Sequence, residues 1–192
     1  MKLSDFLSYE DIYIQCHDNP DAGTLASGFA LYEYYTSYGK NVHLIYSGRF
    51  QIQKSNLKIM IEKLSIPIIY VSPTELTLDE ELLITVDCQY GAGNVTHIFA
   101  KNIVIIDHHQ VEIENIEHSL IMSNFGSCST IIWQLLCDED FSIDDKPELS
   151  TALYYGLFTD TQQFTEIYNP ADKDMRDSLK YTHSTISLLR NS

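Results

Sequence analysis

The chain has 192 residues, which is enough for one α/β core and at most a fragment of a second domain, so we expect a single domain. Its 27 acidic residues outnumber the 12 basic ones, and the formal net charge of −15 repels nucleic-acid backbones and anionic membranes. We therefore expect neither duplex DNA binding nor membrane binding. A protein this acidic can still act on short phosphate esters when bound cations neutralise its site locally.

The cysteines and the N-terminus indicate a cytoplasmic protein. The four cysteines lack CxxC spacing, and three of them lie in or beside apolar runs, as is typical of reduced core residues in the cytosol. The N-terminal stretch MKLSDFLSYED has no apolar signal-peptide core. No segment approaches the roughly 20 apolar residues of a membrane span.

Short apolar runs alternate with helix-like periodicity along the chain. The strands are predicted at Ile12–Cys16, Val42–Tyr46, Ile68–Val71, Leu82–Val86, Ile103–Ile106 and, as a short sixth segment, Leu120–Met122. The helices are predicted at Ala22–Tyr38, Ser55–Leu64, Ile131–Cys137, Leu149–Phe158 and Ala171–Lys180. This order predicts an α/β fold, a three-layer domain with a mainly parallel sheet of about five strands and helices on both faces.

Potential metal ligands follow three of these strands. His17 and Asp21 come after the first strand, Asp87 after the fourth, and the string 107–109 (Asp-His-His) after the fifth. In open α/β sheets, ligands bind beyond the carboxyl ends of the strands. Each position also has a structural explanation, since an aspartate such as Asp21 commonly caps a helix and a lone histidine at a strand end is usually hydrogen-bonded.

Two positions late in the chain extend this set. Asp160 follows a predicted helix, where a carboxylate is unfavourable by roughly 0.3–1 kcal/mol unless a cation is held there. Ser127 and Ser129 precede another helix, where they could cap it or help to hold a phosphate. Because converging carboxylates destabilise one another without a counterion, the recurrence of such positions favours a divalent metal site.

Four motifs together resemble the DHH phosphoesterase family. They are HDNPDAGTLAS at 17–27, ITVDCQ at 84–89, IIDHHQ at 105–110 and LFTDTQQF at 157–164. The resemblance spans roughly residues 10–190 and implies a catalytic-type DHH domain over residues 1–192. It implies hydrolysis of phosphodiester or phosphomonoester bonds in short oligonucleotides or small nucleotides, with one or two Mn²⁺ ions and Mg²⁺ as the alternative cation.

The resemblance also implies roles for individual residues. The implied metal ligands are His17, Asp21, Asp87, His108 and Asp160. The implied catalytic residues are Asp107, His108 and His109, with Asp107 orienting the cluster. The implied contacts to the substrate phosphate are His109, Ser127 and Ser129.

The chain departs from the family pattern in two places. The first motif normally supplies a second carboxylate where this chain has Gly23, so we expect a weaker second metal site, and we expect Gly23→Asp to raise the metal count at little cost to the fold. The glycine-rich signature of the family's C-terminal substrate-binding domain does not occur in these 192 residues. The alternative to an enzyme is a non-catalytic relative that binds metal or nucleotide, and either form is compatible with a homodimer.

Overall fold

The sheet determines where the candidate site lies. The structure is a computed structural model that describes residues 1–72, 74 and 76–192. In this part of the chain the strands are Asp11–Cys16 (β1), Asn41–Tyr46 (β2), Ile68–Tyr70 (β3), Thr77–Val86 (β4), Phe99–Asp107 (β5) and His118–Ile121 (β6). They form one sheet in the order β3-β2-β1-β4-β5-β6, and every described neighbouring pair is parallel.

This sheet confirms the predicted α/β class, with six strands where about five were expected. The central strands β1 and β4 pair in register, with Ile14 opposite Ile84 and Cys16 opposite Val86. They are buried on both faces, which explains why the sequence shows nearly continuous apolar runs there. The direction in which successive strands are added reverses between β1 and β4, and such a switch point is where open sheets bind ligands.

The helices follow β1, β2 and β6. They are Ala22–Ser37 (α1), Ser55–Lys63 (α2), Cys128–Asp138 (α3), Pro147–Asp160 (α4), Pro170–Ser178 (α5) and His183–Arg190 (α6). The last helix was not predicted, although its buried Ile186 and Leu189 are three residues apart, a helical spacing. Among the described residues, no helix has both the length and the apolar character needed to cross a membrane.

The two faces of the sheet are covered differently. The buried apolar residues of the helices belong to the larger core cluster, which also contains Ile14, Ile84 and Ile106 from the strands. The opposite face holds a smaller cluster that includes Leu83 and Ile98. Right-handed crossovers place the connections 87–98 and 108–117 on that side, and because these connections contain no helix, loops cover it.

Helix α1 lies between the sheet and α4. Gly156 of α4 permits this close packing, because a Cβ there would lie 2.4 Å from Ser129 Oγ and 3.0 Å from the Cβ of Ala26. The packing brings the C-terminal end of α4, with Asp160, to the N-terminal end of α1. A helix that follows the last strand thus contributes to the crevice at the centre of the sheet.

Candidate metal centre

The switch point places the predicted ligands together. His17 directly follows β1, and Asp87 directly follows β4. Asp107 is the last residue of β5, which puts His108 just beyond the sheet edge. Asp21 caps α1, since its side chain accepts a hydrogen bond of 3.1 Å from Thr24 N.

Asp87 lies between two histidines. One of its oxygens, Oδ1, is 3.3 Å from His108 Nε2, and the other, Oδ2, is 3.9 Å from His17 Nε2. His17 Nε2 is also 3.6 Å from Asp21 Oδ2. Asp87 therefore belongs to two groups of potential ligands whose donor atoms lie within 4.8 Å of one another, His17 with Asp21 and His108 with His109.

Both histidines are oriented as metal-binding histidines usually are. His17 Nδ1 is 2.8 Å from the carbonyl oxygen of Asp18, and His108 Nδ1 is 3.2 Å from that of Phe125. A carbonyl oxygen only accepts, so Nδ1 must carry the proton in each ring. In the neutral form Nε2 is then free to bind a cation on the side that faces Asp87.

Asp87 itself has features that a cation would explain. It is 2% exposed, and its Oδ1 accepts no hydrogen bond within the described part of the chain. Its φ of 62° is unusual for a residue with a Cβ, and such backbone strain is concentrated at functional sites. A buried, hydrogen-bond-deficient carboxylate beside two imidazoles fits a divalent cation of the Mn²⁺, Fe²⁺ or Zn²⁺ type.

Protonated histidines balance the negative charge when no metal is bound. Burial alone would lower the pKa of His17, but its contacts with Asp21 and Asp87 raise it to about 9. Burial likewise opposes protonation of His108, whose contact with Asp87 raises its pKa to about 9. A divalent cation would replace these protons.

Asp160, the last residue of α4, lines the same crevice. Burial, followed by the charges of Asp87 and Asp21, raises its pKa to about 8. Ser127 Oγ donates a hydrogen bond of 2.6 Å to Asp160 Oδ2 and fixes the carboxylate in place. The raised pKa explains how this side chain is tolerated at the end of α4, since near neutral pH it keeps its proton when no metal is bound.

Gly23 lies directly beneath the Asp160 carboxylate. A Cβ at position 23 would be 2.2 Å from Asp160 Oδ2 and 2.8 Å from Oδ1. The Asp160 carboxylate thus occupies the space that a side chain at position 23 would need. Any side chain at position 23 must displace the Asp160 carboxylate, so the low cost of Gly23→Asp to the fold stays a prediction that depends on how easily Asp160 moves.

Asp107 and His109 form a second layer of the site. Asp107 is buried, and its Oδ1 is 2.7 Å from His109 Nδ1 and accepts a hydrogen bond of 2.8 Å from His108 N. Gln89 Nε2 donates to the other oxygen at 2.8 Å. Burial acts to raise the pKa of Asp107, but His109 and Gln89 outweigh it and lower the pKa. The contact with Asp107 also raises the pKa of His109.

Ser127 and Ser129 are buried behind this layer. Ser127 Oγ caps α3 by accepting from Ser129 N at 3.1 Å while it donates to Asp160. Ser129 Oγ donates to the Gly23 carbonyl at 3.4 Å. Both hydroxyls are therefore engaged within the protein, and their contact with a substrate phosphate stays a prediction that this geometry does not favour.

Five residues of the crevice or its surroundings were not predicted from the sequence, namely Asp18, Asn19, Lys54, Gln89 and Asn94. Gln89 donates a hydrogen bond to Asp107, and it also fixes the loop after β5 by accepting hydrogen bonds from Glu112 N and Ile113 N. Asp18 and Lys54 line the crevice itself. Gln89 and Asp18 stand inside two of the four motifs, whereas nothing in the sequence distinguishes Lys54 from the other lysines.

Comparison with known proteins identifies the family. The model described as the DHH family, N-terminal domain, matches residues 11–157. The chain belongs to the DHH family. Its family-naming triplet is the Asp107–His109 string, in which His108 faces Asp87 and His109 contacts Asp107.

This DHH-family chain is similar to longer proteins. It is 29% identical over 154 residues to the uncharacterized protein MJ1633 of Methanocaldococcus jannaschii, covering 80% of this chain and 31% of that protein. It is 25% identical over 150 residues to the uncharacterized protein MG371 of Mycoplasma genitalium, covering 77% and 44%. The chain thus spans less than half the length of these relatives.

Solved structures share the fold. An exopolyphosphatase-related protein from Bacteroides fragilis superposes with a TM-score of 0.74 at 20% identity, covering 98% of this chain and 54% of that one. A putative family II inorganic pyrophosphatase from Methanococcus jannaschii gives 0.63 at 18% identity, covering 94% and 57%. At such identities the likeness establishes the fold of the DHH domain and no substrate.

Proposed function

We propose that this domain is a metal-dependent phosphoesterase whose cofactor is Mn²⁺, with Mg²⁺ as the alternative. The main support is Asp87, a buried carboxylate at the switch point with the Nε2 atoms of His17 and His108 directed at its two oxygens. Membership of the DHH family is independent support. Because the chain spans only part of its relatives, the proposal concerns the chemistry of this domain.

The residues divide into two ligand sets that share Asp87. His17 and Asp21 with Asp87 would hold one ion, and His108 and Asp160 with Asp87 would hold a second. A bound divalent ion supplies Lewis-acid polarisation of a phosphoryl group and lowers the pKa of water. The protein contributes the rigid placement of these ligands and the loss of their protons when metal binds.

His109 is proposed to contact the substrate phosphate. Its side chain is 52% exposed, in contrast to 17% for His108, so it can reach a ligand in the crevice. Asp107 fixes the ring through Nδ1 and favours its protonated form, which would attract an anion. In this proposal His108 binds metal, His109 binds phosphate, and Asp107 is the positioning residue for both.

The proposed substrates are small nucleotides and short oligonucleotides. The crevice has a volume of about 420 Å³, which suits a phosphate ester with a small organic group. The net charge of −15 opposes the approach of long polyanions such as duplex DNA. Phosphate and pyrophosphate compounds without a nucleoside belong in the same test panel.

Metal-dependent hydrolysis tests this proposal. After its metal has been removed, the unmodified chain should release nitrophenol from bis(p-nitrophenyl) phosphate or p-nitrophenyl phosphate when Mn²⁺ is added. The addition of EDTA should stop this hydrolysis. Asp87→Asn should lower turnover by about 10²- to 10³-fold because the shared ligand loses its charge. Asp79→Asn is the matched control, since Asp79 is an exposed β4 aspartate paired with Lys101.

The same experiment separates the enzyme from the non-catalytic alternative. Equal activity of Asp87→Asn and the unmodified chain would refute the proposed site. Tight Mn²⁺ binding that is lost in Asp87→Asn, with no hydrolysis of any phosphate compound in the panel, would instead identify a metal-binding relative without catalytic activity.

A further inference from the structure

Lys54 is the single lysine or arginine among the described residues that line the metal crevice. The rest of the lining comprises four aspartates, three histidines and two asparagines. Lys54 immediately precedes α2, and its side chain is exposed. An anionic substrate that enters this acidic crevice would therefore meet one permanent positive charge from the protein.

Lys54 is free to bind a ligand. Several other lysines of the described chain lie within 4.0 Å of a carboxylate, namely Lys40, Lys63, Lys101, Lys146 and Lys180. No such pair involves Lys54 in residues 1–72, 74 and 76–192. Its charge nevertheless reaches the site. Burial acts to raise the pKa of Asp21, the contact with His17 outweighs burial and lowers it, and the charge of Lys54 makes a smaller contribution that also lowers it.

The loop that presents Lys54 is held against the crevice. Tyr46 OH accepts a hydrogen bond of 3.1 Å from Ile52 N, and Tyr70 OH donates one of 2.7 Å to the Gly48 carbonyl. Gly48 has a φ of +104°, and a Cβ there would lie 2.9 Å from Asp18 Cβ. The loop after β2 therefore packs directly on the turn that follows β1.

The neighbouring rim is also fixed. Asp18 accepts from Thr96 N at 3.0 Å and from Thr96 Oγ1 at 2.6 Å, and its own N–H donates to the Asn94 carbonyl at 2.9 Å. These bonds direct the Asp18 carboxylate into the protein and reduce its competition for Lys54. Asn94 also lines the crevice.

We propose that Lys54 is a second residue, besides His109, through which this domain recognises the anionic group of its substrate. Its ammonium group would bind a non-bridging oxygen of a phosphate held in the crevice, on the side opposite the DHH triplet. A lysine binds phosphate as a point charge, whereas arginine can bind it through two parallel hydrogen bonds. One such charge suits a small phosphate ester or a terminal phosphate, and this inference rests on the proposed function.

Lys54 should have opposite effects on the two kinds of ligand. Its positive charge attracts an anion but repels a metal ion beside Asp21. Lys54→Gln should therefore weaken the binding of adenosine 5′-monophosphate by about 5- to 20-fold. The same change should tighten Mn²⁺ binding by about 1.5- to 5-fold, because a like charge has been removed. A purely structural role of Lys54 would not produce opposite shifts.

Lys58→Gln is the matched control. Lys58 lies one helical turn later in α2, is exposed, and lines a separate groove with Ile61 and Glu62. The substitution Lys58→Gln removes the same charge from the whole molecule but leaves the crevice unchanged. Lys54→Arg, which keeps the charge, should restore nucleotide binding.

Titration calorimetry with adenosine 5′-monophosphate, with and without Mn²⁺, and with Mn²⁺ alone, decides the matter. Weaker nucleotide binding and tighter Mn²⁺ binding in Lys54→Gln, with neither change in Lys58→Gln, supports the proposal. Equal behaviour of the two variants, or no nucleotide binding by the unmodified chain, overturns it. These are equilibrium measurements, so a failure of hydrolysis alone would count against the proposed function and leave the role of Lys54 standing.

Discussion

Gly23 shows how one residue without a side chain can shape the centre. The Asp160 carboxylate, which comes from the end of α4, occupies the space that a side chain at position 23 would need. The glycine is therefore more than a missing ligand. Its absence of a Cβ is what allows Asp160 to reach its present position against Ser127.

We predict that Gly23→Ala weakens metal binding. The new Cβ would force the Asp160 carboxylate away and break its hydrogen bond to Ser127, so Mn²⁺ affinity should fall by about 10-fold. Gly93→Ala is the control, because among the described residues nothing beyond the two chain neighbours lies within 4 Å of a Cβ at that position. Gly23→Asp causes the same displacement but adds a carboxylate, so it should bind more Mn²⁺ than Gly23→Ala. Titration calorimetry showing Gly23→Ala with unchanged affinity would contradict this account.

At the scale of single residues, the sequence predicted which candidate ligands come together, but it did not predict their contacts in detail. His17, Asp21, Asp87, His108 and Asp160 all line one crevice, as their places after strands and α4 suggested. Contacts that depend on loop conformation, such as the approach of Asp160 to Gly23, have no local sequence signal.

The N-terminus of α3 is linked to the candidate metal ligand Asp160 through Ser127. Ser127 both caps the helix and holds Asp160, whereas Asn169 caps α5 by accepting from Ala171 N at 2.9 Å and is not among the residues that line the crevice. Loss of either cap should therefore destabilise the protein to a similar extent, but only the loss of Ser127 should affect the crevice.

We predict that Ser127→Ala and Asn169→Ala each lower the free energy of unfolding by about 1 kcal/mol, the usual contribution of a cap. Only Ser127→Ala should also weaken Mn²⁺ binding, by about 10-fold, since Asp160 loses the group that positions it. Urea unfolding and calorimetry on the same preparations measure both effects. A Ser127→Ala variant with normal Mn²⁺ affinity would show that Asp160 needs no such support.

Strands and helices could be predicted where burial produces a clear pattern of apolar residues in the sequence. The central strands were found because both faces are buried, and α1 was found although it is buried nearly all round. The early start of β4 at Thr77 was missed because polar residues 79–81 interrupt its pattern. Helix α6 was missed because only Ile186 and Leu189 are fully buried in it.

For the whole molecule, the charge of the centre makes stability depend on both pH and metal. The folded-state pKa values of His17 and His108, about 9, and of Asp160, about 8, all lie above their ordinary values. The folded protein then binds protons that the unfolded chain releases. The free energy of unfolding must therefore fall as the pH rises from the ordinary pKa values of these groups to their folded-state pKa values.

We predict that the metal-free protein loses thermal stability between about pH 6.5 and pH 9, because the histidine protons that stabilise the folded state are lost as the pH rises from the ordinary pKa of histidine to the folded-state pKa of about 9. Stabilisation by Mn²⁺ should increase over the same window, because metal binds the deprotonated ligands. Melting temperatures measured anaerobically with EDTA or with Mn²⁺ test both signs. A metal-free Tm that rises with pH, or a Mn²⁺ effect that does not change with pH, would be inconsistent with this charge balance.

Anomalous diffraction from crystals of the unmodified chain grown with Mn²⁺ tests the central claim most directly. We predict one anomalous peak at a position where a Mn²⁺ ion would be bound by Asp87 and His17. At higher Mn²⁺ concentration we predict a second peak between Asp87 and His108, about 3.5–4 Å from the first. Both peaks should disappear in Asp87→Asn crystals. Mn²⁺ bound only elsewhere, or a crevice without an anomalous peak at saturating Mn²⁺, would contradict the account.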